Sequence, residues 1–210
     1  AFKHIGGYLK ELSQTVNPLA PYMGGTPIHY AARLFSQSTM DYYGEGHERD
    51  LWNDAYGTIE MLKHAHLQSA VVFEKHLERA DLSRYPVLIL GNCACLSQAH
   101  AKQIENYVRN GGILFCCKDA GTLDELGYPH QRPALDDLLG IKSREPGKPP
   151  HLPTLEFLDR GLRRLCGEYQ SFTGVVNLHN ESYVCLQVRD DVEVLARLVC
   201  RDLERGDLWD

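Results

Sequence analysis

The chain has 210 residues, of which 43% are hydrophobic and 24% are charged, and its formal net charge at pH 7 is −6. This composition is ordinary for a globular protein with one α/β domain, and it excludes a largely disordered chain. No apolar run approaches the length of a transmembrane helix, and no basic patch typical of nucleic-acid binding is present, so we expect neither a membrane nor a nucleic acid among its partners.

The chain begins with an amphipathic segment that predicts a helix over residues 2–16. Apolar residues recur there at steps of three and four, namely Phe2, Ile5, Leu9, Leu12 and Val16. Prolines and glycines follow, and we interpret residues 1–26 as an N-terminal helix and linker. Two origins are open for this helix: the end of a preceding domain, or a helix that packs on this domain's own sheet.

The next elements alternate between strand and helix. Residues 27–35 and 68–73 are predicted strands, and the helix between them carries Leu51, Ala55, Ile59 and Leu62 on one face. A third strand is predicted at 85–90. Ser97 then caps a helix that ends at Asn110-Gly111-Gly112, before the apolar run at 113–117.

The segment from 85 to 117 therefore reads as a βαβ unit with two parallel, buried strands. Open α/β sheets bind ligands at the carboxyl ends of their strands, so the loops at 92–96 and 118–124 are the first places to look for chemistry.

The character of the sequence changes after Gly140, which ends a short predicted helix at 134–139. Residues 145–153 predict a proline-rich surface connection, and leucines at 155, 158, 162 and 165 indicate a further helix. Residues 183–188 and 192–199 alternate as strands and predict an antiparallel hairpin appended to the parallel sheet. Residues 201–210 are predicted to be a polar tail.

The seven cysteines are an odd number, and several lie in apolar, strand-like runs. This pattern favours reduced, mostly buried thiols and a cytoplasmic protein. Cys93 and Cys95 are one residue apart, but zinc sites need four ligands and no second pair exists, so we expect no metal. The sequence also lacks the glycine-rich loops of nucleotide sites, and we expect no cofactor.

A Cys/His/Glu triad is formally available from Cys117, His179 and Glu181. A nucleophile at a strand end needs small neighbours so that the backbone can turn sharply, whereas Phe115 and Asp119 flank this site. We therefore expect no catalytic residue, and we keep the triad as the alternative.

Ser36, Thr39, Tyr42 and Tyr43 lie after the first predicted strand. Hydroxyls and aromatic rings at such a position suit carbohydrate contacts or a subunit interface, and they equally suit caps and turns. Acidic residues at 41, 45 and 48 do not form a pair spaced for glycoside hydrolysis.

The order and spacing of several motifs resemble the beta-galactosidase trimerisation domain of family 42-like glycoside hydrolases. The motifs are Ser36-Gln-Ser-Thr39, Tyr43-Gly44, the strand at 85–90, Ala94-Cys95-Leu96-Ser97, Tyr107-Val108 with Gly111-Gly112, and the segment 135–140. The resemblance covers residues 27–141, with a weaker continuation to about 200. It implies a three-layer α/β fold with a mostly parallel, flavodoxin-like sheet of about five strands, as in class I glutamine amidotransferases.

The resemblance also implies a function. Such domains follow a catalytic TIM barrel, have lost the amidotransferase triad, and assemble the enzyme as a trimer. The helix at residues 2–16 would then be the last helix of that barrel or its linker. Residues 27–200 are thus predicted to be a non-catalytic assembly domain of carbohydrate metabolism, with a homotrimer and an N-terminal barrel as partners. An amidotransferase-like hydrolase and a carbohydrate-binding module are the alternatives.

Overall fold

A computed structural model describes residues 2–25, 27–46, 48–147, 153–167, 169–171 and 183–200. The chain divides into two compact units, Ala1–Tyr128 and Pro129–Asp210. The predicted boundaries after residues 26 and 200 stay predictions, and the tail at 201–210 lies outside the described residues. None of the described helices has the length and apolar character needed to span a membrane.

The first unit is built on a parallel sheet of four strands. Its helices are α1 (Phe2–Val16), α2 (Glu48–His64) and α3 (Gln98–Arg109), and its strands are β1 (Ala31–Phe35), β2 (Ser69–Phe73), β3 (Val87–Leu90) and β4 (Ile113–Cys116). The strand order is β2-β1-β3-β4, and every neighbouring pair is parallel. Because right-handed crossovers lead outward in opposite directions from the centre, α2 and α3 cover opposite faces of this sheet.

The α3 boundaries follow the local signals in the sequence. Ser97 caps the helix by accepting a hydrogen bond from the His100 backbone N–H at 3.1 Å. At the other end Gly111 adopts a φ of 95°, a conformation that favours glycine, and the chain enters β4. Ala101, Ile104 and Tyr107 form the buried face of the helix. The predicted βαβ unit is confirmed.

Three strand predictions for this unit need correction. The first strand begins at Ala31 and not at residue 27, because the preceding segment is irregular up to the hydrogen bond that the Tyr30 N–H donates to Gln68 O. β4 was expected to be a buried central strand, but it is an edge of the described sheet, with Ile113 and Phe115 more than half exposed. Cys116 and Cys117 are accordingly half-buried. The parallel sheet also has four described strands instead of about five.

The second unit contains short antiparallel sheets. Its helices are α4 (Asp136–Leu139) and α5 (Arg160–Cys166), and its strands are β5 (Ile141–Gly147), β6 (Pro153–Phe157), β7 (Tyr169–Ser171), β8 (Tyr183–Val188) and β9 (Ala196–Cys200). β5 pairs with β8, and β6 lies between β7 and β9. The antiparallel strands predicted near the C-terminus are therefore present, but they pair with β5 and β6 and not with each other as a hairpin.

The segment between β8 and β9 explains this pairing. Arg189 donates its backbone N–H to Gly140 O and a guanidinium hydrogen to Asp137 O, which ties the end of β8 to the α4–β5 junction. Residues 145–147 belong to β5 and not to a surface connection, and Leu155 lies in β6 and not in a helix. The helix begins later because Asp159 caps it, accepting from the Leu162 N–H at 2.8 Å. The four leucines at helical spacing therefore do not share one helix, because Leu155 lies in β6 whereas Leu162 and Leu165 lie in α5.

Candidate functional site

The carboxyl ends of the four parallel strands bring polar and sulfur-bearing side chains to one edge of the first unit. Ser36 follows β1, Glu74 follows β2, the segment 91–97 follows β3, and Cys117 follows β4. This is the edge at which open α/β sheets bind their ligands. The structure arranges these side chains in two hydrogen-bonded networks, one around Glu74 and one around Asp54.

Glu74 is the centre of the first network. It is only 7% exposed, and its carboxylate accepts three hydrogen bonds of 3.0 Å, from Ser36 Oγ, Ser38 N and Ser38 Oγ. His100 Nδ1 lies 3.9 Å from Glu74 Oε1, which is beyond hydrogen-bond distance. A buried carboxylate is stable only when such donors replace water. The bonds thereby fasten the loop after β1 to the end of β2.

Ser36 and Thr39 belong to the same network. Thr39 donates both its backbone N–H and its hydroxyl to Ser36 Oγ, at 3.0 and 2.9 Å, and Thr39 Oγ1 accepts from the Cys95 N–H at 3.0 Å. Both residues are buried. Their hydroxyl groups therefore join the loops after β1 and β3, and this geometry favours the capping role over ligand contact.

Asp54 is the centre of the second network, on α2. Its Oδ2 accepts from Arg33 Nη2 at 3.1 Å and from the Asn92 N–H at 3.2 Å. Gly91 makes this approach possible, since a Cβ atom there would lie 1.8 Å from Asp54 Oδ2. The carboxylate compensates the charge of the buried Arg33, and it holds the turn after β3 against α2.

The Cys117 thiol belongs to the second network. Cys117 Sγ donates to Asp54 Oδ1 at 3.6 Å. Burial, and then the negative charge of Asp54, raise the pKa of the Cys117 thiol to about 11. A cysteine nucleophile needs the opposite setting, with a nearby cation that stabilises the thiolate. The backbone turns one residue later, at Lys118, where φ is 53°.

The other members of the predicted triad, His179 and Glu181, lie outside the described residues. The geometry around Cys117 alone is that of a protonated thiol bound to a carboxylate. It gives no sign of an activated nucleophile.

Cys93 and Cys95 are buried in the turn after β3. Burial raises the pKa of the Cys93 thiol to about 12 and that of the Cys95 thiol to about 11. Among the described residues, no group of three or more histidine, cysteine, aspartate or glutamate side chains is arranged to hold a metal ion. These two thiols therefore act as small buried side chains.

The two tyrosines of the predicted ligand or interface loop lie in different environments. Tyr43 is half-buried and donates its hydroxyl to Asp119 Oδ2 at 2.7 Å, whereas Tyr42 is 55% exposed. With Ser36 and Thr39 buried, the four residues predicted as one contact site do not share a surface. Tyr42 is the member of this set that is most available to a partner.

Sequence reasoning missed the two carboxylates that organise the edge. The sequence could have indicated Glu74, because this residue directly follows a predicted strand and so lies at the carboxyl edge of the sheet. Asp54 had none, because it lies within a helix at a position outside the apolar stripe, and its partners are 21 and 38 residues away in sequence.

The chain matches the family model described as the beta-galactosidase trimerisation domain over residues 61–180. No curated protein matches it in sequence. The matched segment is more than half of the chain. It contains the sheet strands β2, β3 and β4 and the helix α3.

Solved structures of GH42 beta-galactosidases share the fold. A beta-galactosidase from Bacillus circulans sp. alkalophilus is 18% identical with a TM-score of 0.63, and the match covers 90% of this chain and 27% of that one. A catalytic mutant of Gan42B, a GH42 beta-galactosidase from G. stearothermophilus, is 14% identical with a TM-score of 0.59, covering 92% and 27%. The chain thus spans about a quarter of the length of these enzymes.

A putative ThuA-like protein from Bacteroides uniformis has the same general fold, at 16% identity and a TM-score of 0.53, with 84% of this chain and 70% of that one covered. At these identities the structural likenesses establish the fold alone, a mixed α/β architecture consistent with the flavodoxin-like type. The family follows from the sequence model, which matches more than half of the residues. The chain belongs to the beta-galactosidase trimerisation domain family.

Proposed function

We propose that this chain is a non-catalytic assembly module of a GH42 beta-galactosidase-like protein of carbohydrate metabolism. In this function it self-associates as a trimer and adjoins a catalytic TIM barrel. The observation that carries the proposal is the family match over residues 61–180. The proposal for the whole protein rests on the similar enzymes, of which this chain spans about 27%.

The chemistry of the sheet edge supports a non-catalytic function. Glu74 and Asp54 each accept hydrogen bonds from neighbouring protein groups. The Cys117 thiol, which follows β4, has a raised pKa and stays protonated near neutral pH. The polar groups that would act on a substrate are used to join the loops of the sheet, and so the edge serves the stability of the fold.

Two measurements test this proposal. Light scattering after size-exclusion chromatography should give the mass of three chains at micromolar or higher concentration. An assay with nitrophenyl galactoside should give no turnover by this chain alone, because the acidic residues at 41, 45 and 48 do not form a pair spaced for glycoside hydrolysis. A chain that stays monomeric at every concentration, or that hydrolyses the substrate, would contradict the proposal.

A further inference from the structure

A pocket lies at the amino edge of the parallel sheet, opposite the two networks, since residues that directly precede β3 and β4 line it. It is bounded by the segment 80–86, by Gln103 and Tyr107 of α3, and by residues 110–112, and we call this space the amino-edge pocket. Its volume of about 320 Å³ is within the range of roughly 300–1,000 Å³ that is typical of small-molecule sites. The pocket is therefore large enough to take a small organic ligand.

Internal hydrogen bonds fix the walls of the amino-edge pocket. Gln103 Nε2 donates to Leu77 O, and the Tyr107 hydroxyl donates to Tyr85 O at 2.9 Å, so α3 is fastened to both ends of the segment that borders it. The Tyr107 ring also packs directly on Gly112, where a Cβ atom would lie 2.2 Å from a ring carbon. The pocket is thus pre-formed, as small-molecule sites usually are.

The same hydrogen bonds determine which polar atoms remain for a ligand. The Gln103 amide nitrogen is bound to a carbonyl group, so its Oε1 is left as an acceptor. The hydroxyl groups of Tyr107 and Ser83 already donate to protein oxygens, and their own oxygens keep lone pairs. Asn110 Nδ2 donates to a carbonyl of α3 at 2.8 Å, which leaves Oδ1 as its acceptor. The side chains of the pocket therefore offer mainly acceptors, and a ligand has to supply donors.

The end of α3 makes the pocket favourable for positive charge. Residues 110–112 directly follow this helix of 12 residues, so the pocket lies at the negative end of the helix dipole. Arg109, the basic residue of the last turn, is bound to Glu105 Oε1 at 2.6 Å. None of the described residues that line the pocket has a charged side chain. The partial negative charge of the helix end is therefore not neutralised from within the pocket.

The neighbouring side chains add to this preference. Asp81 accepts hydrogen bonds from the backbone N–H and the hydroxyl of Ser83, which lines the pocket, so a carboxylate adjoins it. Arg84 is exposed and is not part of the lining. Tyr85 and Tyr107 both line the pocket, and the face of a tyrosine ring attracts cations.

We propose that the amino-edge pocket binds a small organic cation whose ammonium group donates to Gln103 Oε1, Ser83 Oγ and Asn110 Oδ1. An ammonium group has three donors and no acceptor, which matches a pocket that offers mainly acceptors. An anion would bring acceptors against acceptors at the negative end of a helix, and this arrangement is unfavourable. The ammonium group can belong to a free amine or to a lysine side chain of another protein. The site is separate from the proposed assembly function, so either can fail without the other.

The test is isothermal titration calorimetry of the full chain at pH 7 with three ligands that share one ring. They are benzylamine, which is protonated at this pH, the neutral benzyl alcohol and the anionic benzoate. Benzylamine should bind roughly tenfold more tightly than benzyl alcohol, because cation–π contact and charge-assisted hydrogen bonds favour it, and benzoate should bind least. A capped peptide with one central lysine distinguishes the sources: tighter binding than benzylamine indicates a protein side chain, and weaker binding indicates a free amine.

Variants locate the binding. Gln103→Leu should weaken benzylamine binding roughly tenfold, since it removes an acceptor of a charged donor. Gln98→Leu, an exposed position in the first turn of the same helix, should leave it unchanged. Ser83 is exposed, so charged residues are tolerated there, and circular dichroism checks the fold of every variant. Ser83→Asp should strengthen binding roughly threefold and Ser83→Lys should weaken it by a similar factor.

Three results would overturn the inference. One is the absence of benzylamine binding at about 10 mM, which is weaker than even a poor small-molecule site. Another is equal affinity for the cation, the alcohol and the anion. The third is that Ser83→Asp and Ser83→Lys change the affinity in the same direction. The Ser83 pair decides the matter even where Gln103→Leu disturbs the fold, because both Ser83 variants alter only an exposed side chain.

Discussion

At the scale of single residues, the environment of Cys117 decides what the carboxyl edge can do. Burial and the adjacent Asp54 carboxylate raise the pKa of its thiol to about 11. Only a small fraction of the thiol is then ionised at neutral pH, and the thiolate is the nucleophilic form. The position of a cysteine at a strand end is therefore not sufficient for reactivity.

We predict that iodoacetamide alkylates Cys117 slowly at pH 7.5, and that the rate keeps rising with pH towards about 11. Peptide mass spectrometry would follow each site, with the exposed Cys166 as the internal, rapidly labelled reference. Asp54→Asn should lower the pKa of Cys117 and speed its labelling, because it removes the negative charge that opposes the thiolate. Labelling of Cys117 as fast as Cys166 in the wild-type chain would contradict this account.

Glu74 shows how a residue at a functional position can serve stability. Its carboxylate is the common acceptor for the buried Ser36 and the half-buried Ser38, and both would lose this acceptor if it were removed. We predict that Glu74→Ala lowers the free energy of unfolding by about 2–3 kcal/mol, the cost of leaving buried polar groups without partners.

Urea unfolding followed by circular dichroism would measure this loss. Glu78→Ala is the matched control, because Glu78 lies in the same short 3-10 segment, Glu74–Arg79, but is exposed. Its effect should stay within about 0.5 kcal/mol. Equal losses in the two variants would show that the Glu74 network contributes nothing specific.

At the scale of elements, α2 carries a glycine that its position does not require. Gly57 lies in the interior of the helix Glu48–His64, it is exposed, and a Cβ atom there would meet nothing within 4 Å. Gly57→Ala should therefore raise the free energy of unfolding by about 1 kcal/mol, since alanine restricts the unfolded chain and favours the helix. Urea unfolding measures the gain.

Gly91→Ala is the counterpart with the opposite expected sign. Its Cβ atom would overlap the Asp54 carboxylate, and overpacking of this kind costs about 1–3 kcal/mol. If both variants changed stability in the same direction, the packing around one of these glycines would differ from that described.

Elements were predictable from sequence where their signals are local. The α1 bounds follow from a regular stripe, and the start of α3 follows from the Ser97 cap, which acts three residues away. The pairing of β8 and β9 was not predictable, because it depends on Arg189 contacting Gly140, and on partners at 141–147 and 153–157. The same limit applies to the site. Ser36 and Thr39 were identified from their position after β1, but their function depends on Glu74, which lies more than 30 residues away.

At the scale of the whole molecule, the proposed assembly function links folding to association. Assembly binds the folded chain and not the unfolded one, so it adds to stability by mass action. For a trimer, a 100-fold rise in concentration adds two-thirds of RT ln 100 per chain, about 1.8 kcal/mol, at concentrations where the trimer dominates. Under the proposed assembly, the unfolding temperature therefore depends on the protein concentration.

We predict that the unfolding midpoint of the wild-type chain rises by about 4–7 °C over that concentration range, given the entropy of unfolding typical of a chain of this length. Differential scanning calorimetry would measure it, and the control is a dilution series below the concentration at which light scattering shows dissociation. The midpoint there should be independent of concentration, because folding is no longer linked to assembly. A midpoint that stays constant at concentrations where the chain is expected to be a trimer would mean that the chain gains no stability from its own copies.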